Sequence, residues 1–496
     1  MSNFKTATQF PAKFILLLLF SYILLTPSFD LLPSYGMYNE KRILECLILL
    51  IAVALLLIDK TLSLKWIGTF TTLPILVRYS LFAIFIIGLL SAANAPQAIA
   101  AFLDVALYTL IFIAIILVAA IQQLITQKKF EAFFLITLLA STAIYLTTFF
   151  SGQIAAALEP VPLLHQSLFA NFSHLRFFGQ FQSWTLPLIV LPLLLVPRLP
   201  RSLKILTLII AAGWWYLLFT SGTRGSMFGL IIAFAAVAIA FGRHALPWFK
   251  WQGVAIVAGL LIYITLFFIL PAMTSSDSST VLKNTVGREL AHSTGRFKLW
   301  EKAGQMIVNE PFLGVGPSHY GCDLSNHIAA HPHNSILQIA AEWGLPVAIL
   351  ITGITLFSLL RWIQRGRVLL STSPQGSNQS RALLYPTLLA SLVAAGTHSL
   401  FSGVIIMPLS QIMMIIVIGW MIAVYQAATD KQKPILSTQN GFRLALTALV
   451  LLSSGILIYA SVPDIFHLFE LQGAFQSEHP TTRVLPRFWQ QGRICG

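Results

Sequence analysis

Two histidines two residues apart, His331 and His333, stand with Asn334 directly ahead of the apolar stretch SILQIAAEWG. An imidazole is the side chain most easily poised as a general base near neutral pH, and an adjacent amide can orient it or a substrate hydroxyl. Gln338, one helical turn beyond Asn334, is a second amide of that kind. Five of the eleven histidines (His292, His319, His327, His331 and His333) fall within residues 272–334. A metal site is poorly supported, because no carboxylate or cysteine cluster accompanies the HxH pair and Asp323 is the nearest acid. A solvated or interface-anchoring histidine cluster and a catalytic one both fit.

Two arginines are the natural partners of such a base. Arg224, in TSGTRGSMFG, lies in a connection between strongly apolar runs that is too short to reach far into water. A guanidinium held at such a boundary either clamps an anion or snorkels to lipid phosphate. Arg296 and Lys298 lie in STGRFKLWEKAGQMIVNEPFLGVG, whose Phe297, Trp300, Ala303 and Ile307 recur at helical spacing. That pattern predicts a short amphipathic helix on the membrane surface, capped by Ser293 or Thr294 and ended by Pro311. The following GVGPSHYG contains Gly314 and Gly316, a turn able to bring backbone N–H groups near an anion, although it matches no nucleotide-binding motif.

The elements positioning these residues follow from composition. The chain has 496 residues, is 57% hydrophobic and 10% charged, and has a mean hydropathy of +0.80. Soluble domains are about 25% charged, so this depletion points to an integral membrane protein. Continuous runs such as ILECLILLIAVALLLI predict helices and argue against a β-barrel, which needs alternation over about ten residues. Apolar stretches of span length begin near Phe14, Ile43, Ser80, Ala98, Glu131, Trp184, Ile205, Ser226, Gly253, Ser335, Leu384, Gly403 and Leu444. The expectation is an all-α polytopic bundle of twelve to thirteen transmembrane helices. The first run is read as a retained span, since TPSFDLLPSYG makes a poor cleavage site.

Lys and Arg in the loops orient the bundle. With the amino terminus in the cytoplasm, inside loops hold nineteen of the 31 basic residues. Residues 150–183, the long loop 272–334 and the tail 463–496 then lie outside. Most of the net charge of +14 is explained by orienting loops, with no call for a nucleic-acid partner. Cys322 and Cys495 would share the outer compartment, where a disulfide and two unpaired thiols are both open. The basic, aromatic tail TTRVLPRFWQQGRICG is expected as a membrane-surface anchor or an acceptor contact. Asp104, Glu45 and His398 fall inside spans, where each either pairs with a neighbour or lines a cavity.

In this order the landmarks resemble the O-antigen ligase-like superfamily of bacterial inner-membrane glycan transferases: O-antigen ligases, O-unit polymerases and protein O-oligosaccharyltransferases. SGTRGS resembles the family's arginine–glycine turn. GRFKLWEKAGQMIVNEPFLGVG resembles its Arg–Trp helix followed by Pro and Gly-x-Gly. HNSILQIAAEWG resembles its His motif closed by a glycine, here Gly344; Val347 departs from the small or hydroxyl residue expected three positions later. The landmarks cover roughly residues 205–345.

The resemblance implies a membrane-embedded glycosyltransferase (GT-C-like) fold and an undecaprenyl-diphosphate-linked oligosaccharide as donor. It implies transfer on the periplasmic face of the inner membrane, without nucleotide sugar, cofactor or metal. By the same resemblance Arg224 and Arg296 hold the donor diphosphate and His333 assists the acceptor hydroxyl. Asn334, Gln338, Gly314, Gly316, Gly344 and His331 would support them. The acceptor would be lipid A–core, another lipid-linked unit or a pilin-like protein, with the ligase assignment preferred. The implied division is 1–204 (amino-terminal spans), 205–425 (ligase-like core with loop 272–334) and 426–496 (last span and tail). A lipid-linked glycan transporter is the rival class; it would need functional charges near mid-membrane and paired internal repeats.

Overall fold

A computed structural model describes residues 9–158, 169–196, 198–270, 294–322, 329–372, 377–428, 439–478 and 486–490. His292, His327, Ser293 and Cys495 lie outside these residues. Within them the protein is entirely helical or irregular, with no strand. The helices are α1 (Phe10–Leu25), α2 (Gly36–Ile58), α3 (Lys60–Thr71), α4 (Ile75–Asn94), α5 (Ala98–Leu124) and α6 (Gln127–Leu158). They continue with α7 (Leu175–Thr185), α8 (Leu191–Leu195), α9 (Arg201–Ser221), α10 (Arg224–Phe241), α11 (Leu246–Ile264) and α12 (Thr294–Asn309). The last are α13 (Ser335–Trp343), α14 (Leu345–Thr372), α15 (Ser377–Ala382), α16 (Leu384–Ser399), α17 (Pro408–Ala427) and α18 (Gln439–Glu478).

Helices satisfy every backbone group internally, the requirement for crossing hydrocarbon. Among the described residues, eight helical stretches are long and apolar enough to cross a membrane. The protein is therefore a multi-pass, all-helical membrane protein. One stretch, Arg224–Ile269, is divided by a 3-10 turn at Gly242–Ala245 into α10 and α11. The interior pillars are α5 and α17, packed on each other and buried along most of their length. Trp420 of α17 is fully buried, as are Trp214 of α9 and Trp248 of α11.

Two of the expected spans are broken or displaced, for local reasons. The run beginning near Trp184 is not one helix: α7 stops at Thr185, turns occupy Leu186–Val190, and α8 is five residues long. Pro187 and Pro192 interrupt it, since proline lacks the N–H a helix interior needs. The span expected from Ser335 starts at Leu345, because α13 ends at Gly344. Gly344 has φ +89°, and a Cβ there would come within 2.1 Å of the Phe312 carbonyl oxygen. Gly344→Ala should therefore cost more than the roughly 1 kcal/mol typical of a misplaced Gly→Ala change; the melting temperature of purified protein would report it.

At the other end of the chain, α18 runs on to Glu478 through Pro463 instead of ending near 463. The expected surface tail is also corrected. Arg487, Phe488 and Trp489 insert into the bundle and are buried. Tyr38 Oη donates to the Arg487 carbonyl, Arg42 Nε donates to the Phe488 carbonyl at 3.1 Å, and Trp489 Nε1 donates to Asp464 at 2.9 Å. The Arg487 side chain meets Glu342 (2.5 Å) and Asp104 (3.3 Å). Asp104 and Glu45 are thus structural partners of arginines, Glu45 pairing with Arg42. Burying such charges costs several kcal/mol apiece unless each is paired, which explains why the tail comes inward. Cys322 is disulfide-bonded, and Cys46 is a free, buried thiol.

Candidate active site

Asn334 starts α13 by accepting from the Ile336 and Leu337 N–H groups, both at 3.1 Å. This N-cap satisfies donors that the first helical turn leaves open. It also turns the chain so that His331-Pro332-His333 lies across the helix start. α12 clamps that tripeptide, with Trp300 Nε1 donating to the Pro332 carbonyl at 3.1 Å. The His333 N–H donates to His331 Nδ1 at 3.2 Å, and the two rings meet edge to face with centroids 4.2 Å apart. Gly403 leaves room for the His331 ring, since a Cβ there would lie 2.7 Å from it.

His333 bears two marks of a site residue. Its φ of +54° is in the left-handed region that a non-glycine residue avoids unless the surroundings impose it. Its Nδ1 is buried without a hydrogen-bond partner, and no hydrogen bond to the other ring nitrogen occurs among the described residues. An unsatisfied buried polar atom costs about 1–3 kcal/mol, so the ring is poorly accounted for as a structural histidine. The others contrast. His331 uses Nδ1 to shape the loop, while His319 contacts the Pro317 carbonyl (2.8 Å) and accepts from Gln97 N–H (3.0 Å), tying the loop to the α4–α5 turn.

Positive charge surrounds His333. Burial, then Arg176, Arg296 and His174, pushes its imidazole down to about 3, so the ring is neutral at neutral pH. Burial chiefly, then His333, Arg487 and Arg176, also holds His331 well below the ordinary value. Arg296, on the first turn of α12, is half-buried with its guanidinium 5.9 Å from the Phe401 ring centre. Arg224 opens α10 and is exposed. The next residue, Gly225, packs so closely on the His398 ring that a Cβ would come within 2.7 Å. His398 Nδ1 in turn faces Ser183 Oγ (2.9 Å) and Ser226 Oγ (3.4 Å). Ser335 and Ser399 join α13 to α16 through a 2.7 Å hydroxyl contact. The arginine turn, the Arg–Trp helix and the histidine motif therefore converge at one end of the bundle.

The supporting residues do other work than expected. Asn334 spends its carbonyl on the cap, and the Gln338 amide donates to Glu342 at 3.2 Å, so neither is bonded to His333. The N–H groups of Gly314, Val315 and Gly316 donate to the carbonyls of Glu310, Ala341 and Glu342. Two of these bonds pack the turn against α13, and none of the three N–H groups is free for an anion. Phe297 of the amphipathic helix is exposed, but Leu299 and Ala303 are buried toward α13 and Tyr320.

Sequence reasoning missed His174 and Arg176. His174 caps α7, its Nδ1 accepting from the Arg176 N–H at 3.0 Å. Arg176 acts electrostatically on His331, His333 and His398. The available signal was a histidine–arginine pair ahead of an apolar run in a loop assigned to the outer face, where basic residues are scarce.

The fold defines a class: an all-helical, multi-pass membrane protein, with Arg176 and Arg296 acting on His333 at one end of the bundle. Residues 206–352 match the O-antigen ligase family model (Wzy_C). Members perform glycan transfer of the O-antigen ligase or polymerase type from lipid-linked substrates. No curated protein matches the chain.

Proposed function

We propose that this protein transfers a preassembled glycan from undecaprenyl diphosphate to an acceptor hydroxyl on the periplasmic face of the inner membrane, with lipid A–core as acceptor. The observation that carries the proposal is His333, a strained histidine whose ring has no hydrogen-bond partner among the described residues, set within reach of the fields of Arg176 and Arg296. Arg224 and Arg296 hold the donor diphosphate, and Arg176 adds a third positive charge. The acceptor oxygen attacks the anomeric carbon while a ring nitrogen of His333 takes its proton. The bond to the diphosphate oxygen breaks with its electron pair, and the guanidiniums stabilise the charge that develops there. A single displacement of this kind inverts the anomeric configuration and needs neither a nucleotide sugar nor a metal. The ligase preference over O-unit polymerase or pilin transferase rests on the superfamily resemblance; the match to residues 206–352 supports ligase- or polymerase-type transfer alike.

The test is donor binding and transfer by purified protein. Arg296→Ala and Arg176→Ala should each weaken binding of a polyprenyl-diphosphate glycan by about tenfold or more, since hydrogen bonds to charged groups contribute about 1.5–3 kcal/mol. Unchanged donor binding in both variants would remove the diphosphate clamp from the mechanism.

A further inference from the structure

Between α3, α4, α5, α14 and α17 lies a cavity of about 1420 Å³, lined also by Leu392, Ala395, Gly396 and Ser399 of α16. It runs from Tyr108, Ser399 and Ile405 near the candidate active site down to Lys65, Arg78 and Arg361 at the opposite end of the bundle. Along α5 alone the lining spans Tyr108 to Gln123, roughly 22 Å at 1.5 Å per residue. The walls between are mainly Ile, Leu, Phe and Met. An apolar shaft crossing most of the bundle and ending in three cations has the shape of an amphiphile.

The polar end is built and unspent. Among the described residues, Lys65, Arg78 and Arg361 form no salt bridge with a carboxylate. Arg78 Nε is buried with no hydrogen-bond partner. Gln122, 4% exposed, lines the same cavity, and both polar atoms of its amide lack partners. The neighbouring amides are not idle in this way: Gln123 and Gln426 bond each other (3.1 Å) and Thr69 and Thr72, tying α3, α5 and α17 together in the cavity wall.

We infer that this cavity binds an anionic glycerophospholipid of the leaflet opposite the active site. Its phosphate sits among Lys65, Arg78 and Arg361, its ester carbonyl at Gln122, and an acyl chain rises along the apolar shaft. Basic pockets between transmembrane helices recognise anionic head groups by this chemistry. The unpartnered amide selects an ester-bearing lipid over a polyprenyl phosphate, which has no carbonyl to offer Gln122. The inference is independent of the glycan-transfer proposal.

The experiment is native mass spectrometry of the full-length protein in detergent with phosphatidylglycerol, phosphatidylethanolamine or undecaprenyl phosphate. Wild type should retain phosphatidylglycerol severalfold over phosphatidylethanolamine. Lys65→Gln/Arg78→Gln/Arg361→Gln should lower that retention by about tenfold or more. Gly396→Phe supplies an independent arm: Gly396 lines the cavity and a Cβ there meets nothing within 4 Å, so the substitution adds bulk at the cavity wall with no contact at its first carbon. It should bring phosphatidylglycerol retention to background with the cations intact, and it decides alone if the triple variant does not purify as a monodisperse species. Wild-type retention in either monodisperse variant overturns the inference, as does preferential retention of undecaprenyl phosphate through the same three cations.

Discussion

His333→Ala is expected to lower the turnover of glycan transfer by about 10²–10⁴-fold while leaving the affinity for the lipid-linked donor near its wild-type value. The reasoning is geometric: the ring is bonded to no described side chain, so its removal deletes an acceptor of a proton and little else. His331→Ala should behave differently, because His331 holds the His333 backbone and its loss disturbs the tripeptide. The pH profile provides a second readout. Burial and the nearby arginines put the His333 imidazole at about 3 in the free protein. A depressed pKa means the base form is present throughout the neutral range and is lost only as pH falls toward that value. kcat/KM should accordingly show no acid limb at the ordinary imidazole value. A bound diphosphate offsets the charge of Arg176 and Arg296, so the acid limb of kcat should lie at higher pH than that of kcat/KM. Identical limbs in the two profiles would mean that the arginines and the donor do not meet at His333.

Arg487→Ala should be the most destabilising single change in the tail, by about 3–5 kcal/mol, the cost of leaving a buried charge without its partner. The substitution strands two carboxyls at once, Glu342 and Asp104, each buried and each paired to Arg487. It also weakens the hold of α13, because Glu342 accepts the Tyr320 N–H (3.1 Å) and the Gln338 amide. Thermal melting of the purified protein measures the loss. The double variant Arg487→Met/Glu342→Gln should recover part of it, since removing both partners avoids the stranded charge at that pair. A single variant that melts with wild type would place the tail on the surface after all.

Much of the site was legible in the sequence because its parts are local. The break at Pro311 and the Arg–Trp helix depend on residues within a few turns of one another, and they form where the spacing predicts. Membrane class followed from charge depletion. What the sequence concealed is long-range. Arg176 is far in sequence from His333, and nothing in SHLRFF marks it as part of the same electrostatic cluster. The tail reads as a membrane-surface anchor or an acceptor contact until Arg487 is seen paired with Glu342 and Asp104. Apolar runs also overstate span length: the break at Gly344 comes from a backbone torsion and a carbonyl in another segment, Phe312, which hydropathy does not register. The glycine turn misled in the other direction, since only the structure shows its N–H groups already occupied.

The central claim, glycan transfer from a lipid diphosphate at the His333 end of the bundle, is tested most directly by one reconstitution. Purified protein in vesicles is given an undecaprenyl-diphosphate-linked oligosaccharide with lipid A–core, a second lipid-linked unit or a pilin as separate acceptors. The predicted result is glycan on lipid A–core with an equal amount of undecaprenyl diphosphate released, and neither product with His333→Ala. Transfer to none of the three, with lipid-linked glycan moved across the vesicle membrane instead, would contradict the account and make the protein a transporter.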